Sequence, residues 1–385
     1  MSMGFRASWG AQTAMALALG LMVAGCGDGR NTDSGESGID TGIESGIPSS
    51  ESGETTDTTT TTTTSSTGPK LDMDPGGNEE AEGVPCGEGD FCDCEIPPHS
   101  PCDANANTPI ANAMGLNCPG ENPQVTFTIN GAPAGVGTRT NFGQLNAFPA
   151  QEGSQFVVIG SGPVADLDLG GDLTACSQDL GLEYDPGTLP PPIVGMNVGA
   201  QDCAENPALI GTGDCSNSIE AQLQGSVNDY TELRITATAP NTVNSFSYNL
   251  AYFSYEYPVY YLSMYNDMYI GWLESEVWTG NISFDEFGSP ISLNAGFLDY
   301  RDAAAANDPD CVNGCTAPEL HGTCMEGHAG TKWLTTTAGI APGETFTLAL
   351  SIFDMSDSVL DSYAFIDNFQ WGCEGSEPPT TTPIE

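Results

Sequence analysis

Six acidic residues that could bind a metal ion lie at the ends of predicted strands in the second half of the chain. They are Glu256, Asp267, Asp354, Asp357, Asp361 and Asp367. Calcium takes about six to eight oxygen ligands from carboxylates and backbone carbonyls, which irregular loops between strands supply. If those strands share a sheet, several carboxylates converge, and the sequence then predicts a structural Ca²⁺ site. Turn capping by solvated side chains is the alternative role of the same residues.

Aromatic residues form a second group with possible binding chemistry. Tyr255, Tyr257 and Trp278 belong to it, together with Tyr260 and Tyr261. Exposed rings stack on sugar rings, so this aromatic corner predicts binding of an extracellular saccharide or matrix. The alternative is that these rings pack in the core or against neighbouring strands, as aromatic residues in strands commonly do.

Local pairs of carboxyl groups raise the possibility of glycoside hydrolysis, which needs two carboxyls about 5–10 Å apart across a cleft. The available pairs are Glu274 with Glu276 and Asp285 with Glu286. No pair stands out from the acidic background, and the G-x-S-x-G, H-E-x-x-H and P-loop motifs are missing from the sequence. We therefore expect no catalytic residues, with a secreted polysaccharide hydrolase as the alternative.

The cysteines indicate an oxidising compartment. Of 13 cysteines, Cys26 follows a signal-like segment, and an even number remains: Cys86, Cys92, Cys94, Cys102, Cys118, Cys176, Cys203, Cys215, Cys311, Cys315, Cys324 and Cys373. In an exported chain this predicts disulfides, whose pairing the spacing leaves open. Cys311, Cys315 and Cys324, with two nearby histidines, have a spacing that suggests zinc, but in this compartment disulfides are favoured.

The N-terminus predicts export and lipidation. Arg6 precedes an apolar run that is too short for a membrane span and ends in Val-Ala-Gly-Cys26. This ending is typical of a bacterial lipobox, in which lipid is attached to Cys26; an ordinary secretory signal is the alternative. Gly27 is not the aspartate that retains lipoproteins in the inner membrane, so we expect an outer-membrane protein at the cell surface. Several acyl chains would anchor it stably.

Composition divides the rest of the chain. Residues 1–25 form the signal peptide and 26–82 an acidic Ser/Thr-rich linker without apolar clusters, which predicts disorder. Residues 83–102 form a Cys-rich lead-in, 103–374 the folded domain and 375–385 a Pro/Thr tail. The formal net charge is −45. A surface so acidic repels phosphate backbones, so nucleic acid is not an expected partner.

Short strands with turn residues between them dominate residues 103–374. Alternating apolar residues predict strands at 125–129, 233–235, 246–252, 268–272 and 346–352, with a buried strand at 156–159 and a central one at 363–371. One short helix is expected over 104–116, with Asp103 as its N-cap. The fold class is therefore all-β, a disulfide-rich sandwich resembling a jelly roll.

The motifs of this domain resemble a known family. The segments Ser254-Tyr255-Glu256-Tyr257-Pro258, Tyr265-Asn266-Asp267, Gly280-Asn281-Ile282, Ile352-Phe353-Asp354 and Tyr363-Ala364-Phe365-Ile366-Asp367 are similar, in this order, to the choice-of-anchor L domain of bacterial surface proteins. With the lipobox and linker, the chain resembles myxobacterial surface lipoproteins. Phe365 to Phe369 also resembles the last strand of carbohydrate-binding jelly rolls, in which such an aspartate often holds an ion. The usual anchor of the family is C-terminal, whereas the lipid here would be N-terminal.

The family resemblance implies an exported module and no established reaction. We therefore expect a non-enzymatic adhesion or ligand-binding protein whose partners are the membrane, through its lipid, and an extracellular polysaccharide or matrix. A purely structural envelope protein is a further alternative. Structural calcium is the one possible cofactor.

Overall fold

Antiparallel strands make up the folded part of the chain. The computed structural model describes residues 94–105, 108–121, 123–167, 173–177, 180–201, 203–304, 308–375 and 378–384. Within these residues the strands are β1 (Thr126–Asn130), β2 (Val136–Arg139), β3 (Asn141–Phe142), β4 (Phe148–Pro149), β5 (Phe156–Gly160), β6 (Val227–Thr238), β7 (Ser245–Ser254), β8 (Met268–Glu274), β9 (Thr279–Asn281), β10 (Ile291–Ser292), β11 (Tyr300–Arg301), β12 (Ala329–Gly330), β13 (Leu334–Gly339), β14 (Thr345–Met355), β15 (Ser362–Gly372) and β16 (Thr380–Pro383). The described helical turns are all 3-10: Asn112–Met114, Pro133–Gly135, Val164–Leu167, Leu173–Ala175 and Pro207–Leu209.

Two sheets contain nearly all of these strands. The first, sheet A, has the order β1-β6-β14-β8-β10, with β9 also paired to β8. The second, sheet B, has the order β11-β12-β7-β15-β5-β2, and β13 pairs with both β7 and β16. Strands β3 and β4 form a separate hairpin. The prediction of an all-β, disulfide-rich sandwich is confirmed.

The main core lies between the two sheets. Alternate residues of β7 (Phe246, Tyr248, Leu250 and Tyr252) belong to the same buried cluster as Leu233, Ile235, Leu348 and Leu350 of sheet A. Each such side chain contributes about 1.5–3 kcal/mol when it is fully buried. The period-2 pattern in the sequence therefore positions β7 correctly against the opposite sheet.

The outer faces of both sheets are also covered. Residues 189–223 pack Ile193 and Ile219 against Met268 and Trp272 on sheet A. On sheet B, Phe142 and Phe148 of the β3–β4 hairpin pack on Phe253 and Phe365. Because both faces are covered, β15 is continuously buried from Ser362 to Asp367 and lies between β7 and β5, as predicted for a central strand.

Disulfides join distant parts of the sequence, as the cysteine count predicted. Among the described residues the pairs are Cys94–Cys373, Cys102–Cys118, Cys176–Cys324, Cys203–Cys215 and Cys311–Cys315. Cys86 and Cys92 lie outside the described residues, as do the signal peptide, Cys26 and the linker. Cys94–Cys373 fixes the start of the described chain to the end of β15.

Two elements differ from the sequence predictions. Of the helix expected over 104–116, the described residues contain only the 3-10 turn Asn112–Met114, and the carboxylate of Asp103 does not cap it. That carboxylate instead accepts the backbone N–H groups of Ser154 (2.8 Å) and Gln155 (2.6 Å), which fixes this segment to the residues before β5. The predicted tail contains β16, which completes an edge of sheet B.

Candidate functional site

The corner that the sequence singled out is the connection between β7 and β8, which crosses from sheet B to sheet A. Two hydrogen bonds close its base. The backbone N–H of Glu256 donates to the Ser254 hydroxyl at 3.1 Å, and that of Asp267 donates to the Glu256 carboxylate at 3.2 Å. The ends of the loop are therefore held together by the acidic residues that the sequence indicated.

The outer part of this loop exposes apolar side chains. Val259 is 68% exposed, Leu262 61% and Met264 55%. Tyr260, Tyr261 and Tyr265 lie partly exposed between and beside them, and we call these six residues the apolar tip. Residues 258–266 carry no charge in a chain with 52 acidic residues. Several exposed apolar side chains in one loop mark an interaction site more often than scattered exposed residues do.

Hydrogen bonds hold the tip in one conformation. The side chain of Asn294 accepts the backbone N–H of Leu262 at 2.7 Å and donates to the carbonyl of Ser263 at 3.2 Å. The guanidinium of Arg301 lies 5.8 Å from the ring centroid of Tyr261. The exposed apolar side chains are thus presented by a braced loop, which lowers the entropy cost of binding.

Buried carboxyl groups lie beneath the tip. Glu256, Asp267, Asp354 and Asp361 are each at most 2% exposed and come from loop and strand ends of both sheets. Asp267 links the sheets, because its carboxylate accepts the N–H of Met355 at 3.0 Å and the hydroxyl of Ser362 at 2.8 Å. Glu256, Asp267 and Asp354 take part in none of the ion pairs among the described residues.

Burial raises the pKa of Glu256, Asp267 and Asp354. For Glu256 the causes of the raised pKa are burial and then the neighbouring charge of Asp267; for Asp267 burial is the main cause. Burial also raises the pKa of Asp354 well above its usual range, and neither of its oxygens has a hydrogen bond of standard geometry among the described residues. Because an unpaired buried charge is costly, protons are the simplest means of neutralising the cluster.

The calcium prediction gains no support from this geometry. Among the described residues, no group of three or more Asp, Glu, His or Cys side chains is arranged to hold a metal ion. Asp357 lies half-buried in the loop before β15 and accepts the N–H of Val359. Asp367 lies further along β15, where its carboxylate accepts the N–H groups of Gln151 (2.6 Å) and Glu152 (3.2 Å). The charge of Asp357 still contributes to the raised pKa of Glu256 and of Asp267. The structure therefore gathers five of the six predicted ligands and leaves Asp367 outside.

The aromatic residues predicted to bind a ligand are in the core, which corrects that prediction. Tyr255 and Tyr257 are at most 2% exposed and Trp278 is 5% exposed, so a sugar could not stack on their rings. The Tyr255 ring packs on His328 and Tyr363, with centroids 4.9 and 6.0 Å apart. The exposed part of the corner is the apolar tip that follows them. The signal for it in the sequence was an uncharged apolar run beyond the end of the strand pattern.

The remaining predicted chemistry does not form a second site. Glu274 and Glu276 are exposed at the end of β8, and the carboxylate of Asp285 accepts backbone N–H groups of its own turn. The cysteines considered for zinc are disulfide-bonded, as expected, and the ring of His328 hydrogen-bonds the carbonyl of Tyr257 at 2.7 Å. Within the described segments, no helix is long and apolar enough to cross a membrane.

These features define a class: a disulfide-braced antiparallel β-sandwich with an uncharged apolar loop at one end. Comparison with known proteins does not narrow it further, since no family model, curated protein or solved structure matches the chain. The resemblance to the choice-of-anchor L domain therefore stays an expectation from the sequence motifs.

Proposed function

We propose that this chain is a lipid-anchored, non-enzymatic module of the bacterial outer membrane that contacts an extracellular polysaccharide or matrix. The observation that carries the proposal is the apolar tip, an exposed and uncharged surface on a braced loop. Loops presented by a rigid scaffold are common binding elements. Of the aromatic residues of the corner, Tyr260 and Tyr261 are partly exposed and are the rings proposed to stack on sugars.

The position of the tip supports an outward-facing role. Cys94 is bonded to Cys373, next to the pairing of Gly372 with Ser245 at the start of β7. The tip follows Ser254 at the other end of β7, a distance of about 30 Å at the usual rise of a strand. Cys94, the first described residue, therefore lies at the end of the sandwich opposite the tip. Such an arrangement suits adhesion to material outside the cell.

The proposal is tested by measuring binding of the purified protein to bacterial extracellular polysaccharide and to a glycan array. Tyr260→Ala with Tyr261→Ala, and separately Met264→Ser, are expected to weaken binding about tenfold or more, since loss of buried apolar and aromatic contact costs on the order of 1–2 kcal/mol. Met196→Ser is a matched control, because Met196 is 57% exposed and Met264 is 55% exposed. In bacterial cells that express the protein, Cys26→Ser should abolish incorporation of labelled fatty acid into it.

Several results would oppose the proposal. Absent binding to every polysaccharide and glycan would favour a purely structural envelope protein. Equal loss of binding in the Met196 and Met264 variants would remove the tip from the explanation. Release of reducing sugar that depends on Glu274 or Glu276 would indicate the hydrolase instead.

A further inference from the structure

A cavity of about 340 Å³ lies near the end of the sandwich where the described chain begins. The segment Ile96 to His99, which follows the disulfide-bonded Cys94, lines the cavity, and so does the end of β15, Phe369 to Trp371. Its volume falls in the range of about 300–1,000 Å³ that is typical of small-molecule sites. This cavity is separate from the apolar tip, which lies at the other end of β7.

The apolar side of the cavity is a fixed aromatic wall. Phe369 is 3% exposed, and its ring stacks on that of Phe246 with centroids 5.3 Å apart. Trp371, which is partly exposed, meets Phe369 edge-on at 5.2 Å and Phe346 at 6.1 Å. Because the rings behind it are buried and packed, the indole is held in place before any ligand arrives. A preorganised aromatic surface suits a flat or apolar ligand body.

The polar side of the cavity is acidic. The ring of His99 hydrogen-bonds the carboxylates of Glu121 and Glu152, and Glu121 also accepts the N–H of Cys118 at 2.8 Å. Burial opposes a charge on His99, but the hydrogen bonds to Glu152 and Glu121 raise its pKa above the usual value. Two carboxyl groups flank one imidazole, so this wall has more acidic than basic groups.

A buried carboxylate oxygen adds to that negative potential. Oε2 of Glu152 has no hydrogen-bond partner among the described residues. It lies behind Gly115 on the cavity wall, where a Cβ would come within 2.2 Å of it. Gly115 has a φ of 79°, so this position favours glycine for its backbone conformation as well. The wall therefore leaves no room for a side chain at position 115, and it is rich in hydrogen-bond acceptors.

We infer that this cavity binds a small organic cation, with its apolar body on Trp371 and Phe369 and its ammonium group toward Glu121. A cation is attracted to an indole face and to carboxylates together, and the net charge of −45 concentrates cations at the surface while it repels anions. An acidic sugar or a phosphate would meet repulsion from the same wall. The mainly apolar lining also favours an amine with a hydrocarbon body over a polar neutral ligand.

The test is calorimetric titration of the full-length protein with three probes of similar shape: 2-phenylethylamine, 2-phenylethanol and 3-phenylpropionate. The amine is expected to bind at least about tenfold more tightly than the alcohol, and the carboxylate is expected not to bind. Glu121→Gln should weaken amine binding about tenfold and bring it close to that of the alcohol. Trp371→Phe should weaken the amine more modestly and reduce the fluorescence change on binding.

Controls separate this site from the apolar tip and from misfolding. Glu286→Gln removes an exposed acid elsewhere and should leave amine binding unchanged, as should Met264→Ser. Near-ultraviolet circular dichroism checks the fold of each variant. Equal affinity for amine and alcohol, no binding of the amine at millimolar concentration, or an unchanged affinity in folded Glu121→Gln would each overturn the inference, whatever the tip variants do to polysaccharide binding.

Discussion

Glu256 combines burial with acidic neighbours at the base of the loop. It closes the loop through its hydrogen bond to the N–H of Asp267, yet it is 2% exposed and has acidic neighbours. Its raised pKa means that the folded protein keeps a proton that the unfolded chain releases. The neutral, protonated carboxyl group therefore closes the base of the loop. The free energy of unfolding then depends on pH.

Raising the pH is expected to destabilise the domain. Where the folded-state pKa of an acid is raised, the folded state binds more protons than the unfolded state between about pH 4 and the folded pKa. The stabilisation is complete below about pH 4 and is lost as the pH rises through the folded values, which are raised for Glu256, Asp267 and Asp354. We expect a loss of about 2 kcal/mol or more between pH 5 and 9, measured from melting curves at high salt.

Glu256→Gln should flatten this pH dependence, because the amide stays neutral throughout. Glu286→Gln is the matched control, since Glu286 is exposed, and its pH profile should follow that of the wild type. A melting temperature that rises from pH 5 to 9 would contradict a protonated Glu256 in the folded protein. Adding calcium or a chelator tests the calcium prediction in the same assay, and marked stabilisation by calcium would show that a cation neutralises the cluster instead.

At the scale of elements, β16 extends the folded domain beyond residue 374, the boundary that the sequence predicted. The strand pairs with β13 over four positions, and the Thr381 hydroxyl lies 3.0 Å from that of Thr336. A Pro/Thr segment gives no hydrophobic period, so the sequence indicated a tail. The strand forms because the edge of β13 offers unpaired backbone groups, which are satisfied by any chain able to lie alongside.

Thr381→Ala is expected to destabilise the domain by about 1 kcal/mol, because it leaves the buried Thr336 hydroxyl with one fewer partner. Thr382→Ala is the matched control on the same strand, since Thr382 is exposed, and it should change stability by less than about 0.5 kcal/mol. Urea unfolding of the two variants checks the difference. Equal effects would mean that β16 contributes only its backbone pairing.

At the scale of the whole folded domain, the two ends of the sandwich differ. The apolar tip and the buried acids lie at one end of β7, and the cavity and the Cys94–Cys373 disulfide lie at the other. This disulfide spans 279 residues, whereas Cys311–Cys315 spans 4. The two bridges therefore constrain the unfolded chain to very different extents.

Replacing Cys94 and Cys373 by serine is expected to cost about 3–5 kcal/mol, against about 2 kcal/mol or less for serines at Cys311 and Cys315. The reason is that a longer closed loop removes more entropy from the unfolded chain. Chemical denaturation of both double variants under oxidising conditions measures the difference. A larger loss from the short bridge would show that local geometry, rather than loop length, governs the stabilisation.

The sequence predicted those features of the fold that depend on neighbouring residues along the chain. Alternation in β7, β8 and β14 follows from the backbone itself, so these strands were found, and the even number of cysteines indicated disulfides. Burial of Tyr255, Tyr257 and Trp278 was only the alternative to ligand binding, because it depends on contacts between residues far apart in the sequence. The prediction of a helix at 104–116 was wrong, because the carboxylate of Asp103 hydrogen-bonds residues before β5 that are distant in the sequence.

The sequence alone therefore determined an all-β chain rich in cysteine, an acidic surface, and the segments in which polar and aromatic residues meet. Only the tertiary structure decided which acids share a buried site, which side chains of the corner reach solvent, and that Trp371 lines a cavity beside His99. Strand periodicity is fixed by the pleat of neighbouring residues, whereas exposure and charge balance are set by contacts between residues far apart in the chain.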